Sequence, residues 1–290
     1  MANNLEQLVT RYRQLGIDNQ IDYDKFYLYS LITHSTAIEG STITELENQI
    51  MFDHGVSLKG KSIEEQSMNL DLKVAYEKAI ELALQHQPLS IEMLISLSAL
   101  VMKNTGKEYK TALGDFSSAR GELRLLNVTA GVGGRSYMNY SKVPMKLAEF
   151  CERLNASRAK ASEMSMDELY QLTFDAHYQL VTIHPWADGN GRMGRLWQSL
   201  ILGKLHPIFE HLPVENMVFS NQQAYYKAIA DSTAAADCGA FIDFMLGEIL
   251  NTLKLHKGEE LEQVDNKVDN KVDNKVTNKV TNKVTNKSDE

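Results

Sequence analysis

A stretch of twelve residues, 184–195, concentrates side chains that could handle a phosphate; it reads His-Pro-Trp-Ala-Asp-Gly-Asn-Gly-Arg-Met-Gly-Arg. His184 can accept a proton near neutral pH. Asp188 is a single carboxylate, and Mg²⁺ in proteins commonly takes one or two carboxylates together with phosphate oxygens. The stretch therefore contains a candidate base and a candidate metal ligand close together in the chain.

The backbone of the same stretch is suited to hold an anion. Gly189 and Gly191 flank Asn190, so successive N–H groups can point into one concavity where a helix begins. Such a nest binds anions because its N–H groups lack intrahelical partners and the helix dipole adds positive potential. Arg192 and Arg195 follow on the first turns, where cations are unfavourable unless they bind an anion. This combination favours a polyphosphate ligand.

The spacing of apolar residues by three and four dominates the chain and predicts an all-α fold. The helix before the stretch begins at a capping box, Ser165-x-x-Glu168, and should end at His184, because Pro185 disfavours helical geometry there. The next helix begins near Asn190. Caps and spacing predict further helices over residues 22–39, 62–85, 90–106, 144–155, 221–236 and 240–255.

One segment, 121–140, departs from helical spacing. Apolar and aromatic residues lie on both sides of the glycine-rich run 131–134, a pattern typical of a β-hairpin. A lone two-stranded hairpin is marginally stable. We therefore expect it to lean on the helical body and to leave one edge unpaired.

Composition limits the classes of protein that the chain can belong to. With 290 residues, 43% of them apolar, it can bury a substantial core. The formal charge of -8 argues against nucleic acid as a partner. The two cysteines cannot form a disulfide framework and are typical of buried thiols in a reducing compartment. Since neither a secretory signal nor a membrane-spanning run is seen, we expect a cytoplasmic protein that binds no membrane.

The stretch 184–195 resembles the signature of the Fic family, His-Pro-Phe-x-Asp/Glu-Gly-Asn-Gly-Arg-x-x-Arg. It departs at Trp186, where the family usually has Phe, and Trp keeps a large apolar anchor. The resemblance implies a Fic-type helical domain with a small β-hairpin flap. It also implies transfer of AMP from ATP to a Tyr, Thr or Ser hydroxyl of a target protein or of the chain itself. The Gly191-Arg192 pair favours AMP transfer, because the related Doc-type kinases carry a Lys in this loop.

The same resemblance implies roles for individual residues. His184 would be the catalytic base, and Asp188 would hold Mg²⁺. The backbone of 189–191 and Arg192 would hold the α- and β-phosphates of ATP, and Arg195 the γ-phosphate. Tyr225 resembles an aromatic residue near the adenosine. The hairpin at about 121–140 would be the flap, whose open edge pairs with a segment of the target protein as an added strand.

A second pattern, Ser35-Thr36-Ala37-Ile38-Glu39-Gly40, resembles the inhibitory motif of the same family. Glu39 ends a helix, where a carboxylate lies at the unfavourable end of the dipole and needs a compensating partner. The resemblance names that partner as Arg195, in a bidentate ion pair that occupies the γ-phosphate position, with Ser35 in the same motif. It thus implies autoinhibition by an N-terminal helix, and it allows a homo-oligomer.

These features divide the chain into three parts. We expect N-terminal helices over 1–110, with the inhibitory helix at about 22–39, and a Fic core over 111–257. A low-complexity tail of Val-Asp-Asn-Lys and Val-Thr-Asn-Lys repeats covers 258–290. Three alternatives stay open: a transferase of another nucleotide, an enzyme that removes AMP, and a catalytically quiet nucleotide-binding regulator. Retention of His184, Asp188 and both arginines counts against the last.

Overall fold

The computed structural model describes residues 23–85, 87–130, 134, 136–205 and 215–255, together with Gln7, Thr10 and Gln14. The helices of this part are α1 (Tyr23–Ile38), α2 (Glu45–His54), α3 (Ile63–Leu84), α4 (Ile91–Val101), α5 (Val143–Arg158), α6 (Met166–Ile183), α7 (Asn190–Leu205), α8 (Glu215–Ser220), α9 (Gln222–Ala235) and α10 (Gly239–Leu255). Two short strands are β1 (Glu108–Thr111) and β2 (Gly114–Ser117). The fold is therefore mainly helical, as predicted. None of these helices combines the length and apolar character that crossing a bilayer requires.

Local signals in the sequence set the helix starts. Ser62 and Ser165 each accept a hydrogen bond from the backbone N–H three residues later, and the glutamate at that position reaches back, which completes both predicted capping boxes. Thr44 and Glu47 form a third at the start of α2, a helix that the apolar spacing did not predict. Helix α6 ends at Ile183, as predicted from Pro185.

The core consists of two apolar clusters that share α6. The larger one joins α1, α3, α4, α5, α6 and α7, and its fully buried members include Leu72, Leu94, Leu97, Leu147, Leu180 and Trp197. The smaller one packs the first half of α6 against α8, α9 and α10. Ile38, the last residue of α1, belongs to the smaller cluster, so the end of α1 is anchored beside α6 and α9. Helices α6 and α7 make the most extensive helix pair of the described part, and the loop between them holds the 184–195 stretch.

The regular hairpin lies upstream of the predicted one. β1 and β2 pair antiparallel from Glu108 opposite Ser117 to Thr111 opposite Gly114, within a segment where we expected no strand. In the predicted flap the chain does reverse, but the described residues hold one isolated antiparallel bridge there, Thr129 with Ser136. The flap is therefore held mainly by contacts with the helical body. The predicted 258–290 tail lies outside the described residues.

Candidate active site

His184 occupies a strained turn directly after α6. Its backbone is left-handed, with φ 53° and ψ 63°, a conformation that non-glycine residues adopt at a cost of about 1–3 kcal/mol. Its ring Nδ1 lies 3.1 Å from the carbonyl oxygen of Val181. Since a carbonyl can only accept, Nδ1 carries the proton, and Nε2 is the nitrogen that can take one. The turn thus presents an imidazole in the tautomer that a base requires.

Trp186, the departure from the family signature, anchors the loop after His184. The side chain is fully buried, and its indole N–H donates to the carbonyl of Gly121 at 2.9 Å. The larger ring therefore finds both an apolar site and a hydrogen-bond partner, as buried Trp requires. This departure leaves the loop firmly packed.

The loop in which the phosphate nest was predicted leads into the start of α7. Gly189 has φ 81°, which glycine adopts without steric cost, and its N–H donates to the Asp188 carboxylate at 2.6 Å. The Asn190 side chain turns back onto Trp186, donating to its carbonyl at 3.0 Å and accepting from its N–H at 3.2 Å. The side chain of Asn190 therefore fixes the loop conformation. The backbone of Asn190 remains available for a nest at the helix N-terminus.

Arg192 is a buried cation with poor internal partners. Its side chain is 4% exposed, and its Nε has no hydrogen-bond partner among the described residues. Nη1 is 3.5 Å from the Val101 carbonyl, Nη2 is 3.1 Å from Met102 Sδ, and Asp188 lies 4.0 Å away. Burial lowers the pKa of this guanidinium. An unsatisfied donor on a buried cation is costly, so the residues around Arg192 fit an anionic ligand.

Arg195 is equally buried, but it already has an anion. Nη2 lies 2.6 Å from Glu39 Oε1, and Nε and Nη2 also donate to the hydroxyl and carbonyl of Ser35 at 2.8 and 3.0 Å. Burial is the largest single influence and disfavours the charge, but Glu39, with smaller contributions from Tyr225 and Tyr76, outweighs it and raises the pKa of Arg195. The ion pair uses one carboxylate oxygen, so the expected bidentate pairing is wrong; Ser35 takes the other contacts.

Gly191 leaves the space in which this carboxylate lies. A Cβ on Gly191 would stand 2.6 Å from Glu39 Oε1 and 3.2 Å from Arg195 Nη1, closer than ordinary contact. The carboxylate therefore sits against the first turn of α7, where the nest was predicted. The Glu39 carboxylate, in the turn directly after α1, occupies the region where a phosphate was predicted.

A buried polar network fixes the end of α1 that carries Glu39. Asn69 of α3 accepts from the Thr36 hydroxyl at 2.8 Å and donates to the Ser41 hydroxyl at 3.1 Å, so it brackets the turn. Gln222 of α9 donates to the Ile38 carbonyl at 2.7 Å. Because hydrogen bonds from two other helices hold the turn, the backbone that carries Glu39 is fixed in position beside Arg195.

The predicted flap covers His184. The Tyr137 ring stacks on the imidazole, with ring centroids 3.6 Å apart and an interplanar angle of 15°. The Tyr137 N–H donates to the Val128 carbonyl at 3.0 Å, which holds the two limbs of the flap together. Burial, with a smaller contribution from the Arg124 charge, lowers the pKa of His184 to about 4. The imidazole is therefore neutral at pH 7.

Tyr225 lies in the core instead of facing an open cleft. It is 1% exposed, and its hydroxyl is 2.9 Å from Nε2 of His177, whose Nδ1 is 2.7 Å from Gln198 Oε1. The neighbouring Tyr226 is 49% exposed. This burial disfavours the predicted contact of Tyr225 with adenosine, and of the aromatic pair Tyr226 has the accessible ring. Burial also lowers the pKa of His177 to about 4.

Asp188 is the residue of the loop best placed to hold a metal. Its side chain is 59% exposed at the edge of the nest. Among the described residues no group of three or more His, Cys, Asp or Glu side chains could form a metal cage. A single carboxylate beside a phosphate site still fits Mg²⁺, which usually keeps several waters and takes phosphate oxygens as further ligands.

Three site residues escaped the sequence analysis: Tyr137, His177 and Arg124. Tyr137 lies within the predicted flap, but nothing in its neighbourhood indicated that it stacks on His184. His177 lies two turns before His184 on the same helix, so its place in the core follows from helical periodicity. Arg124 carried no signal, because a lone arginine is usually solvated.

Comparison with known proteins agrees with this geometry. The model of the Fic/DOC family matches residues 88–202. The chain carries a Fic/DOC family domain. "Protein adenylyltransferase fic-1" of Caenorhabditis briggsae is 29% identical over 196 residues, which cover 66% of this chain and 34% of that protein. "Protein adenylyltransferase Fic" of Drosophila grimshawi is 27% identical over 176 residues, covering 59% of this chain and 32% of that protein.

Solved structures extend the similarity beyond the Fic domain itself. A Fic family protein from Desulfovibrio desulfuricans G20 superimposes with a TM-score of 0.70 at 26% identity, covering 90% of this chain and 72% of that one. A fragment of Fic-1 from Caenorhabditis elegans gives a TM-score of 0.68 at 20% identity, covering 91% and 72%. The chain spans about a third of the length of the curated relatives that it matches.

Proposed function

We propose that the chain is a protein adenylyltransferase, which moves AMP from ATP to a hydroxyl of a target protein or of itself, and that Glu39 restrains it. One observation carries the proposal: the Glu39 carboxylate lies against Gly191 and Arg195 at the N-terminus of α7. Helix N-termini flanked by arginines bind phosphates. A carboxylate held there by a separate helix acts as an internal substitute for the γ-phosphate.

The neighbouring residues can perform the transfer. Nε2 of His184 would take the proton of the acceptor hydroxyl as its oxygen forms a bond to the α-phosphorus, and the bond from that phosphorus to the pyrophosphate oxygen breaks. Such a displacement depends on positioning and charge neutralisation more than on covalent help. Arg192 and Arg195 would neutralise the phosphates. Mg²⁺, held by Asp188, would add further neutralisation when bound.

The acceptor would arrive at the flap. Tyr137 covers His184, so the hydroxyl of a target peptide must replace this ring above the imidazole. We infer that the target segment pairs with a limb of the flap as an added strand, which would place its hydroxyl in register with His184. The three-part domain division, self-association and the cytoplasmic location stay predictions.

Intact mass spectrometry tests the proposal. The parent chain, Glu39→Gly and the double variant Glu39→Gly/His184→Ala are incubated with ATP and Mg²⁺. We expect Glu39→Gly to gain the mass of one or more adenylyl groups, and the parent to gain much less. Adding His184→Ala should reduce the rate by about 10²–10⁴-fold, the usual cost of removing a general base, while ATP still raises the melting temperature.

Other outcomes identify the alternatives. A melting shift by ATP with no product in any variant would support a quiet regulator. Stronger labelling by UTP or GTP than by ATP, each labelled at the α-phosphate, would support another nucleotide. Loss of adenylyl mass from a modified protein added to the reaction would support AMP removal. Equal labelling by the parent and Glu39→Gly would remove the inhibitory role.

A further inference from the structure

Arg124 is a buried cation without a carboxylate. Its side chain is among the largest fully buried ones, and no ion pair joins it to any described Asp or Glu. Main-chain carbonyls solvate it instead: Nε donates to His184 at 2.7 Å, Nη1 to Leu126 at 2.7 Å, and Nη2 to Met138. A longer contact of 3.5 Å reaches Ile183. Burying a charged side chain costs desolvation free energy, so a functional reason for this arrangement is expected.

The carbonyls belong to two different parts of the site. Ile183 and His184 end helix α6, and the backbone N–H of Arg124 itself donates to the next carbonyl, that of Pro185, at 3.0 Å. Leu126 and Met138 lie on the two limbs of the flap, on either side of its glycine-rich run. The guanidinium is therefore the point at which both limbs of the flap meet the turn that carries the base.

This contact constrains the two rings above it. On one side, the hydrogen bond to the His184 carbonyl holds a residue whose left-handed backbone is strained, and so sets the direction in which the imidazole leaves the chain. On the other side, Met138 directly follows Tyr137, which stacks on that imidazole. A shift of the guanidinium would change the distance between flap and base.

We propose that Arg124 is a positioning residue for the transfer reaction, one that ties the flap and the His184 turn into a single unit so that base and acceptor keep one register. This inference rests on the proposed function. The planar fork of arginine carries five donors and can serve carbonyls on two sides at once. A lysine ammonium has three donors on one atom and cannot span both limbs.

The test compares Arg124→Lys and Arg124→Met with a matched control, Arg120→Met, all in the Glu39→Gly background of the full chain. Arg120 is exposed and pairs with Glu108 and Glu122 at the surface, so its loss should leave the site intact. The measurements are kcat and KM for ATP, the ATP-induced melting shift, amide exchange at Tyr137, and the NMR titration of His184.

We expect Arg124→Met to lower kcat by about 10²-fold, the effect of a displacement of about 1 Å, while KM for ATP stays close to the parent value. The Tyr137 amide should exchange at least about tenfold faster, because its flap is no longer tied down. The pKa of His184 should rise toward its ordinary value as burial and the Arg124 charge are lost. Arg124→Lys should be intermediate, and Arg120→Met should resemble the parent.

The readouts separate this inference from the proposed function. If Glu39→Gly transfers no AMP, the proposed function fails, but exchange at Tyr137 and the titration of His184 still decide whether Arg124 positions them. Unchanged exchange and titration in Arg124→Lys, which keeps the charge and is the variant expected to fold, would overturn the inference. A loss of ATP binding as large as the loss of kcat would assign Arg124 a structural role instead.

Discussion

Removing the Glu39 carboxylate should destabilise the free protein. In Glu39→Ala, Arg195 keeps its contacts with Ser35 but loses the charged partner 2.6 Å away, although only 3% of its side chain is exposed. Breaking a fully buried pair costs about 3–5 kcal/mol, and a hydrogen bond to a charged group contributes about 1.5–3 kcal/mol. Because 31% of the Glu39 side chain remains exposed, we expect the free energy of unfolding to fall by about 2 kcal/mol. For a chain of this size the melting temperature should fall by about 5 °C.

The same energy should appear as tighter ATP binding. In the parent the γ-phosphate must displace Glu39 before it can reach Arg195, whereas in Glu39→Ala the guanidinium is available. A gain of about 2 kcal/mol corresponds to about 30-fold in the dissociation constant. ADP has no γ-phosphate and should gain little, so the ratio of ATP to ADP affinity should rise. Titration calorimetry with both nucleotides, and thermal melts with and without them, measure the two effects.

Matched variants make this result decisive. Glu152→Gln alters an exposed glutamate in the middle of α5 and should change neither the melting temperature nor the affinity. Glu39→Gln keeps an oxygen near Arg195 without the charge and should fall between the parent and Glu39→Ala. If Glu39→Ala has the same melting temperature as the parent and binds ATP no more tightly, the ion pair does not restrain the site. An equal gain in affinity for ADP would mean that the carboxylate occupies the position of the α- or β-phosphate and not of the γ-phosphate.

Three further predictions concern the groups around this pair. Tyr225→Phe leaves Nε2 of the buried His177 without its hydroxyl partner and should lower the free energy of unfolding by about 1–3 kcal/mol in urea titrations; an unchanged midpoint would contradict the contact. Burial holds the pKa of His177 near 4. Between pH 6.5 and 4 the unfolded chain therefore binds a proton that the folded chain does not. The free energy of unfolding should decrease as the pH is lowered, by up to about 1.4 kcal/mol per pH unit. His177→Asn should show a correspondingly shallower dependence in urea unfolding at pH 7, 6 and 5, while His184, whose pKa is also near 4, keeps part of the slope. Tyr137→Ala uncovers the imidazole, so NMR should find the pKa of His184 nearer 6.5, and a value that stays near 4 would show that the stacked ring does not bury it.

Features set by neighbouring residues could be read from the sequence. The capping boxes at Ser62 and Ser165 and the stop at Pro185 lie within a few positions of the helix ends that they determine, and all three are observed. Thr44 with Glu47 is the same signal, so α2 was predictable in principle. Strands β1 and β2 were not, because four residues each of mixed polarity show too little alternation to distinguish them from a loop.

Contacts between distant parts of the chain needed more than spacing. Glu39 and Arg195 are 156 positions apart, and their pairing was expected through resemblance to a family motif. That resemblance could name the partner but not the geometry, since Ser35 takes the contacts that a bidentate carboxylate would use. The burial of Arg124 depends on carbonyls supplied by both the flap and the α6 turn, and no local pattern records where those carbonyls meet.

The two arginines of α7 differ in what already neutralises them, and this difference suggests an order of binding. Arg192 has an unsatisfied Nε and only weak contacts, so an anion can satisfy it while Glu39 stays in place. Arg195 differs, because Glu39 and Ser35 already accept hydrogen bonds from its Nε and Nη2. The inner phosphates of a nucleotide can therefore bind without disturbing α1, whereas only a group that outcompetes the carboxylate reaches Arg195. On this reasoning the inhibitory contact should weaken the binding of ATP, whose γ-phosphate competes with Glu39, far more than the binding of ADP.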